Sequence, residues 1–110
     1  MQYRPGDIVV CRYPYTAGES GRPRPAVVVA IPESPEGLWL YWVCMITASA
    51  EKMKSDIPIR PGKQSGLDIA CVVRPGKIAT IEAGIIRDKI GELPKTSLET
   101  LRTKIKKLVS

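Results

Sequence analysis

Arg4, Arg22, Arg24, Arg60 and Arg74 each stand directly before a proline. Of these, Arg24 is the one set against a run of β-formers, in Gly21-Arg22-Pro23-Arg24-Pro25-Ala26-Val27-Val28-Val29. Proline restricts the residue before it to extended backbone, so Pro25 poses Arg24 at the mouth of a strand. A guanidinium held this way suits an anion. Its planar fork donates two hydrogen bonds to phosphate oxygens, and it stays charged. Thr47, closing the apolar run of "CMITASA", offers a hydroxyl to the same phosphate. Each feature alone has a plainer use, as a lead-in turn to a strand and as a turn former. Arg22 lies two residues further out, where a group need only supply charge.

The remaining composition narrows the chemistry. Histidine is absent, which removes the commonest general base, the commonest zinc ligand and any Ser–His or Cys–His dyad. The carboxylates are scattered without a D-x-D pair, and no phosphate-binding glycine loop or dinucleotide fingerprint is present. Neither metal nor cofactor is expected. One reaction can use what is left, namely cleavage of RNA by its own 2′-hydroxyl. There the protein orients the 2′-oxygen in line, neutralises charge on the phosphorane and moves protons. Lys and Arg total 17 against 11 Asp and Glu, a net charge of +6 that favours a polyanionic partner such as nucleic acid.

Cys11, Cys44 and Cys71 are an odd number, widely spaced and each in an apolar run. They read as buried, reduced thiols. No apolar run reaches the ~18 residues of a membrane helix. The N-terminal "MQYRPGDIVV" is interrupted by Pro5-Gly6 and Asp7, unlike a signal peptide. A cytoplasmic protein with no membrane partner is expected, with one domain over residues 1–110.

Short strands must position these residues. The patterning predicts strands over about Ile8–Arg12, "AVVVAI", "LWLYWVCMIT", a brief "SDIPI" that Pro58 confines to an edge or bulge, "LDIACVV" and "KIATIE". An R-P-G turn at Arg74 separates the last two. "TAGESGRPRP" and "PESPEG" are loops. "EAGIIRDKIG" carries isoleucines at near-helical spacing and reads as a short helix or turn. "TSLETLRTKIKKLVS" is an amphipathic helix with a capping box of Thr96 and Glu99. Its apolar stripe is Leu98, Leu101, Ile105, Leu108 and Val109. The fold class is mainly β (α+β), a small, mostly antiparallel barrel or sandwich closed by a C-terminal amphipathic helix. Trp39 and Trp42 lie three apart on a strand, hence on opposite faces, and neither reads as a base-stacking platform.

In order and spacing, "GDIV", "G-x-x-R-P-A-V-V-V", "ITAS", "VVRPGKIATIE" and "KIGEL" resemble the MazF/PemK toxins of type II toxin–antitoxin systems, over Tyr3 to Val109. The resemblance implies an SH3-like barrel of the CcdB/MazF type and a homodimer. It also implies metal-independent, sequence-selective cleavage of single-stranded RNA to a 2′,3′-cyclic phosphate, and a cognate antitoxin that inhibits the dimer. It carries catalytic roles onto Arg24 and Thr47. In a PemK-like branch it carries a third onto Arg74. That branch has an aspartate where this chain has Gly76, and a histidine in the loop where this chain has Glu19 or its neighbours, so its Asp–His proton transfer does not carry over. Arg22, Glu19 and Lys77 are the candidate RNA contacts, with Glu19 the substitute offered for the missing base. Two other functions share such a barrel: a CcdB-like gyrase poison, and a noncatalytic barrel that binds RNA or protein.

Overall fold

The computed structural model describes residues 3–12, 23–33, 40–48 and 53–109. Its strands are β1 (Asp7–Arg12), β2 (Pro23–Ala30), β3 (Leu40–Thr47), β4 (Ile57–Ile59), β5 (Cys71–Glu82) and β6 (Ile86–Glu92), and its helix is α1 (Lys95–Val109). The strands form one antiparallel sheet in the order β4-β5-β3-β2-β1-β6. The sheet curls into a half-barrel. The chain after β4 reaches across to β6, where Glu92 N–H donates to the Gln64 carbonyl at 2.7 Å. Two glycines permit that approach. A Cβ on Gly66, at φ +75, would strike the Ile90 carbonyl, and one on Gly91 would strike the backbone of Ser65.

Because side chains alternate along a strand, the sheet buries apolar groups on both faces. Ala26, Val28, Tyr41, Val43 and Cys11 belong to one core, with Tyr3 edge-on to Tyr41 at 5.6 Å between ring centroids. Val27, Val29, Cys44, Ile46 and Val73 belong to the other, which α1 covers through fully buried Leu101. Arg102 pins the helix by donating Nε and Nη2 to the Val29 carbonyl at 3.0 and 2.8 Å. The "GDIV" turn is held by Asp7, whose Oδ2 accepts from Arg4 N–H at 2.8 Å and whose Oδ1 pairs with Lys89 at 3.2 Å.

Several sequence expectations are corrected. The two strands expected on either side of the R-P-G at Arg74 are one twelve-residue strand. Val73 pairs with Ile46 and Ile78 with Cys44, so residues 74–77 bulge out opposite Met45 alone. The proline is absorbed in that bulge instead of ending the strand. "EAGIIRDKIG" holds a 3-10 turn, Ala83–Ile85, and then β6. Two register shifts against β1 break the period-two alternation there, which hides the strand. Helix α1 starts at Lys95, so Thr96 lies in its first turn and not at the N-cap of a capping box. Thr100 Oγ1 donates to the Thr96 carbonyl at 3.0 Å. Of the expected stripe, Leu108 and Val109 are exposed. Strand β2 begins at Pro23, ahead of the expected "AVVVAI", so Arg24 lies within the strand and not at its mouth. Both prolines are tolerated because β2 pairs with β3 only from Ala26 onward.

Candidate functional site

The register of the central strands decides which candidates meet. Arg24 pairs with Cys11 across β1. On the other side Ala26 pairs with Met45, Val27 with Cys44 and Val28 with Val43. The β2–β3 pairs end at Ala26 with Met45, and Arg24 and Thr47 each lie two residues beyond that pair, Thr47 as the last residue of β3. Thr47 then pairs with Val72 of β5, and Pro58 of β4 also pairs with Val72. By alternation, Arg24 and Thr47 share the face of Ala26, Val28 and Val43, opposite the face that α1 covers. Both are half-buried, so they reach solvent from a fixed backbone.

Arg74 joins this face one row further along. It follows Val73, which faces the helix-side core, and it occupies the place opposite Met45 where the bulge begins. That makes it a diagonal neighbour of Thr47, within reach of a long side chain. Its Nε donates to Asp56 Oδ1 at 3.2 Å and to Oδ2 at 3.4 Å. The Asp56 side chain is only 3% exposed and that of Arg74 14%. Lys77 is exposed in the same bulge, at its far end. Gly76 between them has open space where a Cβ would stand, with no described atom within 4 Å. Arg22, Glu19 and Trp39 lie outside the described residues. Trp42 is 42% exposed.

Asp56 is the residue that sequence reasoning missed. It is eighteen positions from Arg74, before a three-residue strand with too little periodicity to fix a register. Only the pairing of Ile57 with Val73 puts the two opposite each other. A short signal was present in the turn itself. Asp56 Oδ2 accepts from Met53 N–H at 2.8 Å, and Asp56 N–H donates to the Met53 carbonyl at 3.0 Å, which is the hydrogen bonding expected of an aspartate in a turn.

The cysteines are free thiols, with Cys11 and Cys44 fully buried and Cys71 only half-buried, a correction to the expectation for the third. Burial pushes the Cys11 thiol up to about 11 and Cys44 up to about 12, so neither is a nucleophile near neutrality. A cavity of about 430 Å3 lies elsewhere, between the chain after β4 and the start of α1, lined by Arg60, Lys63, Ser65, Glu92 and Ser97 among others. Among the described residues no helix is long and apolar enough to cross a membrane.

The arrangement can grip an anion. One arginine and one hydroxyl share a face just past the end of the β2–β3 ladder, and a second arginine on that face is held by a buried carboxylate. Comparison with known proteins agrees on the scaffold. Over 100% of this chain and 97% of the other, the structure superimposes on the MazE–MazF complex of Deinococcus radiodurans with a TM-score of 0.75 at 20% identity. Toxin MazF-mt6 of Mycobacterium tuberculosis gives 0.72 at 19% identity, covering 96% of each chain. An endoribonuclease in complex with its cognate antitoxin, from a mycobacterial species, gives 0.72 at 14% identity, covering 98% of this chain and 95% of that one. A comparison with curated protein sequences found no match. The sequence profile described as "PemK-like, MazF-like toxin of type II toxin-antitoxin system" matches residues 4–109. The chain therefore belongs to the PemK-like, MazF-like family of type II toxin–antitoxin toxins.

Proposed function

We propose that this toxin is an endoribonuclease that cleaves single-stranded RNA without a metal ion, as a single domain acting in the cytoplasm. The observation that supports this reading is that Arg24, Thr47 and Arg74 lie on the helix-free face of one sheet, with Arg74 diagonal to Thr47. In the reaction the RNA's 2′-oxygen attacks the adjacent phosphorus, and the bond to the 5′-oxygen breaks. The products are a 2′,3′-cyclic phosphate and a 5′-hydroxyl. A proton leaves the 2′-hydroxyl and another reaches the departing 5′-oxygen.

Arg24 donates to the non-bridging oxygens as charge builds in the transition state, and Thr47 adds a hydroxyl donor to the same phosphate. Arg74 is a second cationic phosphate contact. Lys77, Arg22 and Glu19 are further candidate RNA contacts, of which only Lys77 lies among the described residues. Glu19 is the base offered for the 2′-hydroxyl. Donors fixed in a strand need no rearrangement at the moment of reaction, which is where such sites gain their rate.

The partners are a second copy of the chain and a cognate antitoxin. Trp42 and Ile78, both exposed on the sheet, and Leu108 and Val109, exposed at the end of α1, support the dimer, since that apolar surface is uncovered in one chain. The test is incubation with a long single-stranded RNA in excess EDTA, with the new ends analysed. Cleavage to a cyclic phosphate and a 5′-hydroxyl is expected. Gyrase inhibition without cleavage, or RNA binding alone, would replace this reading with one of the other two.

A further inference from the structure

We infer that Asp56 is a positioning residue that holds the Arg74 guanidinium in the pose that meets the scissile phosphate. This role rests on the reading of Arg74 as a phosphate contact.

Asp56 is itself fixed from three sides. Its Oδ2 accepts from Met53 N–H at 2.8 Å, and its own N–H returns to the Met53 carbonyl at 3.0 Å. The turn they form is tied to the helix by Lys104, whose Nζ donates to the Ser55 carbonyl at 3.1 Å. Strand β4 begins at the next residue and pairs with β5. From this anchored turn the carboxylate reaches Arg74 Nε with both oxygens. An arginine gripped at Nε has the plane and direction of its fork set by that grip, because Nε and the two Nη atoms are coplanar. The backbone of Arg74 needs such help. It stands at the start of a bulge, where ladder pairing does not fix the strand as it fixes Arg24.

Burial separates this role from that of a general base. A base must come within hydrogen-bond reach of the 2′-hydroxyl. With its side chain 3% exposed and both oxygens engaged, Asp56 has no surface to offer a substrate. Its carboxylate chemistry is spent on Arg74 and on the turn.

Asp56→Asn is the informative variant. Asparagine has one acceptor oxygen in place of two, so it keeps the Met53 bond and turns an NH2 toward Arg74 Nε, donor against donor. The test compares wild type, Asp56→Asn, Arg74→Ala and the double variant. It reads single-turnover cleavage at saturating enzyme, affinity for an RNA made uncleavable by a 2′-deoxy substitution, and the Arg74 Nε–H resonance. Misplacing a reacting contact by about 1 Å costs up to ~10²-fold in rate. Asp56→Asn should therefore slow cleavage ~10–10²-fold, leave affinity close to wild type, shift or broaden the Nε–H signal, and add nothing once Arg74 is alanine.

A wild-type rate with an unchanged signal would overturn the positioning role, and so would losses that multiply in the double variant. If wild type cleaves no RNA, the endoribonuclease reading fails. The Nε–H resonance then still decides whether Asp56 holds Arg74. If Asp56→Asn does not fold, Arg74→Lys carries the test. It keeps the charge but has no fork to orient, so it should lose as much rate as Arg74→Ala, and a near-wild-type rate would overturn the role.

Discussion

Arg24 of β2 and Thr47 of β3 each lie two residues beyond the last β2–β3 pair, Ala26 with Met45, and share the face of the sheet that α1 leaves uncovered. If both serve one phosphate, removing the hydroxyl while keeping the shape should cost rate without costing the fold. A hydrogen bond to a charged group contributes about 1.5–3 kcal/mol. Thr47→Val, confirmed folded, should therefore slow single-turnover cleavage ~10–10²-fold. An unaltered rate would remove Thr47 from the reaction.

Gly76 offers a gain-of-function test. A Cβ there meets no described atom within 4 Å, and its φ is not in the left-handed region. Gly76→Asp should fold normally and place a carboxylate beside Arg74, where the PemK-like branch carries one. Proton transfer by a positioned group contributes ~10²–10⁴ in rate. A rise of ~10-fold or more in single-turnover rate is expected. No rise in a folded variant would show that proton transfer in this chain runs elsewhere.

Closure of the half-barrel depends on close backbone contact between the chain after β4 and β6. Gly66→Ala combines an unfavourable φ of +75 with a Cβ driven into the Ile90 carbonyl. Residues forced into that backbone region cost about 1–3 kcal/mol before any clash is counted. Gly66→Ala should lower stability by at least ~2 kcal/mol in urea denaturation. Gly84→Ala, with open space at the Cβ and a φ outside the left-handed region, should cost less. Equal losses would contradict the account of closure.

The buried thiols set a limit at high pH. Burial raises Cys11 from 9.0 to about 11 and Cys44 from 9.0 to about 12, favouring the neutral form in the folded state. A group raised on folding contributes fully below its unfolded pKa and loses that contribution as pH rises through the folded value. Stability should hold to about pH 9 and then fall. Lys89, raised chiefly by its hydrogen bond to Glu92 and next by that to Asp7, adds a loss of the same sign above 10.5. The interval from pH 9 to 10 therefore isolates the cysteines. Burial raises Cys71 as well, so urea midpoints there should fall in wild type and stay flat in a Cys11→Ala, Cys44→Ala, Cys71→Ala variant. Parallel slopes would contradict the assignment.

The sequence made some of this site legible and left the rest to geometry. Arg24-Pro25 before an aliphatic run and Thr47 at the end of another are local patterns, and local patterns can be read along a chain. That the two share one face of the sheet is a matter of register, which depends on strand pairing between residues far apart in sequence. Arg74 was visible as a motif, but the strand through it was not, because a bulge keeps a proline and a glycine inside β5. Strand β6 was obscured for the same reason, its alternation broken by two register shifts. Asp56 gave no sign of its partner, since a three-residue strand carries no period from which the pairing could be inferred.

The central claim is that Arg24, fixed in β2, stabilises the transition state of metal-independent RNA cleavage. It is tested most directly by single-turnover cleavage of one long single-stranded RNA in EDTA, comparing wild type with Arg24→Ala confirmed folded by circular dichroism. Losing one donor to developing charge costs about 2.7–4 kcal/mol, or ~10²–10³ in rate. Wild type should cleave in the chelator, and Arg24→Ala should bind RNA and fall in rate by that factor. Cleavage by Arg24→Ala near the wild-type rate, or wild-type cleavage that the chelator abolishes, would contradict the account.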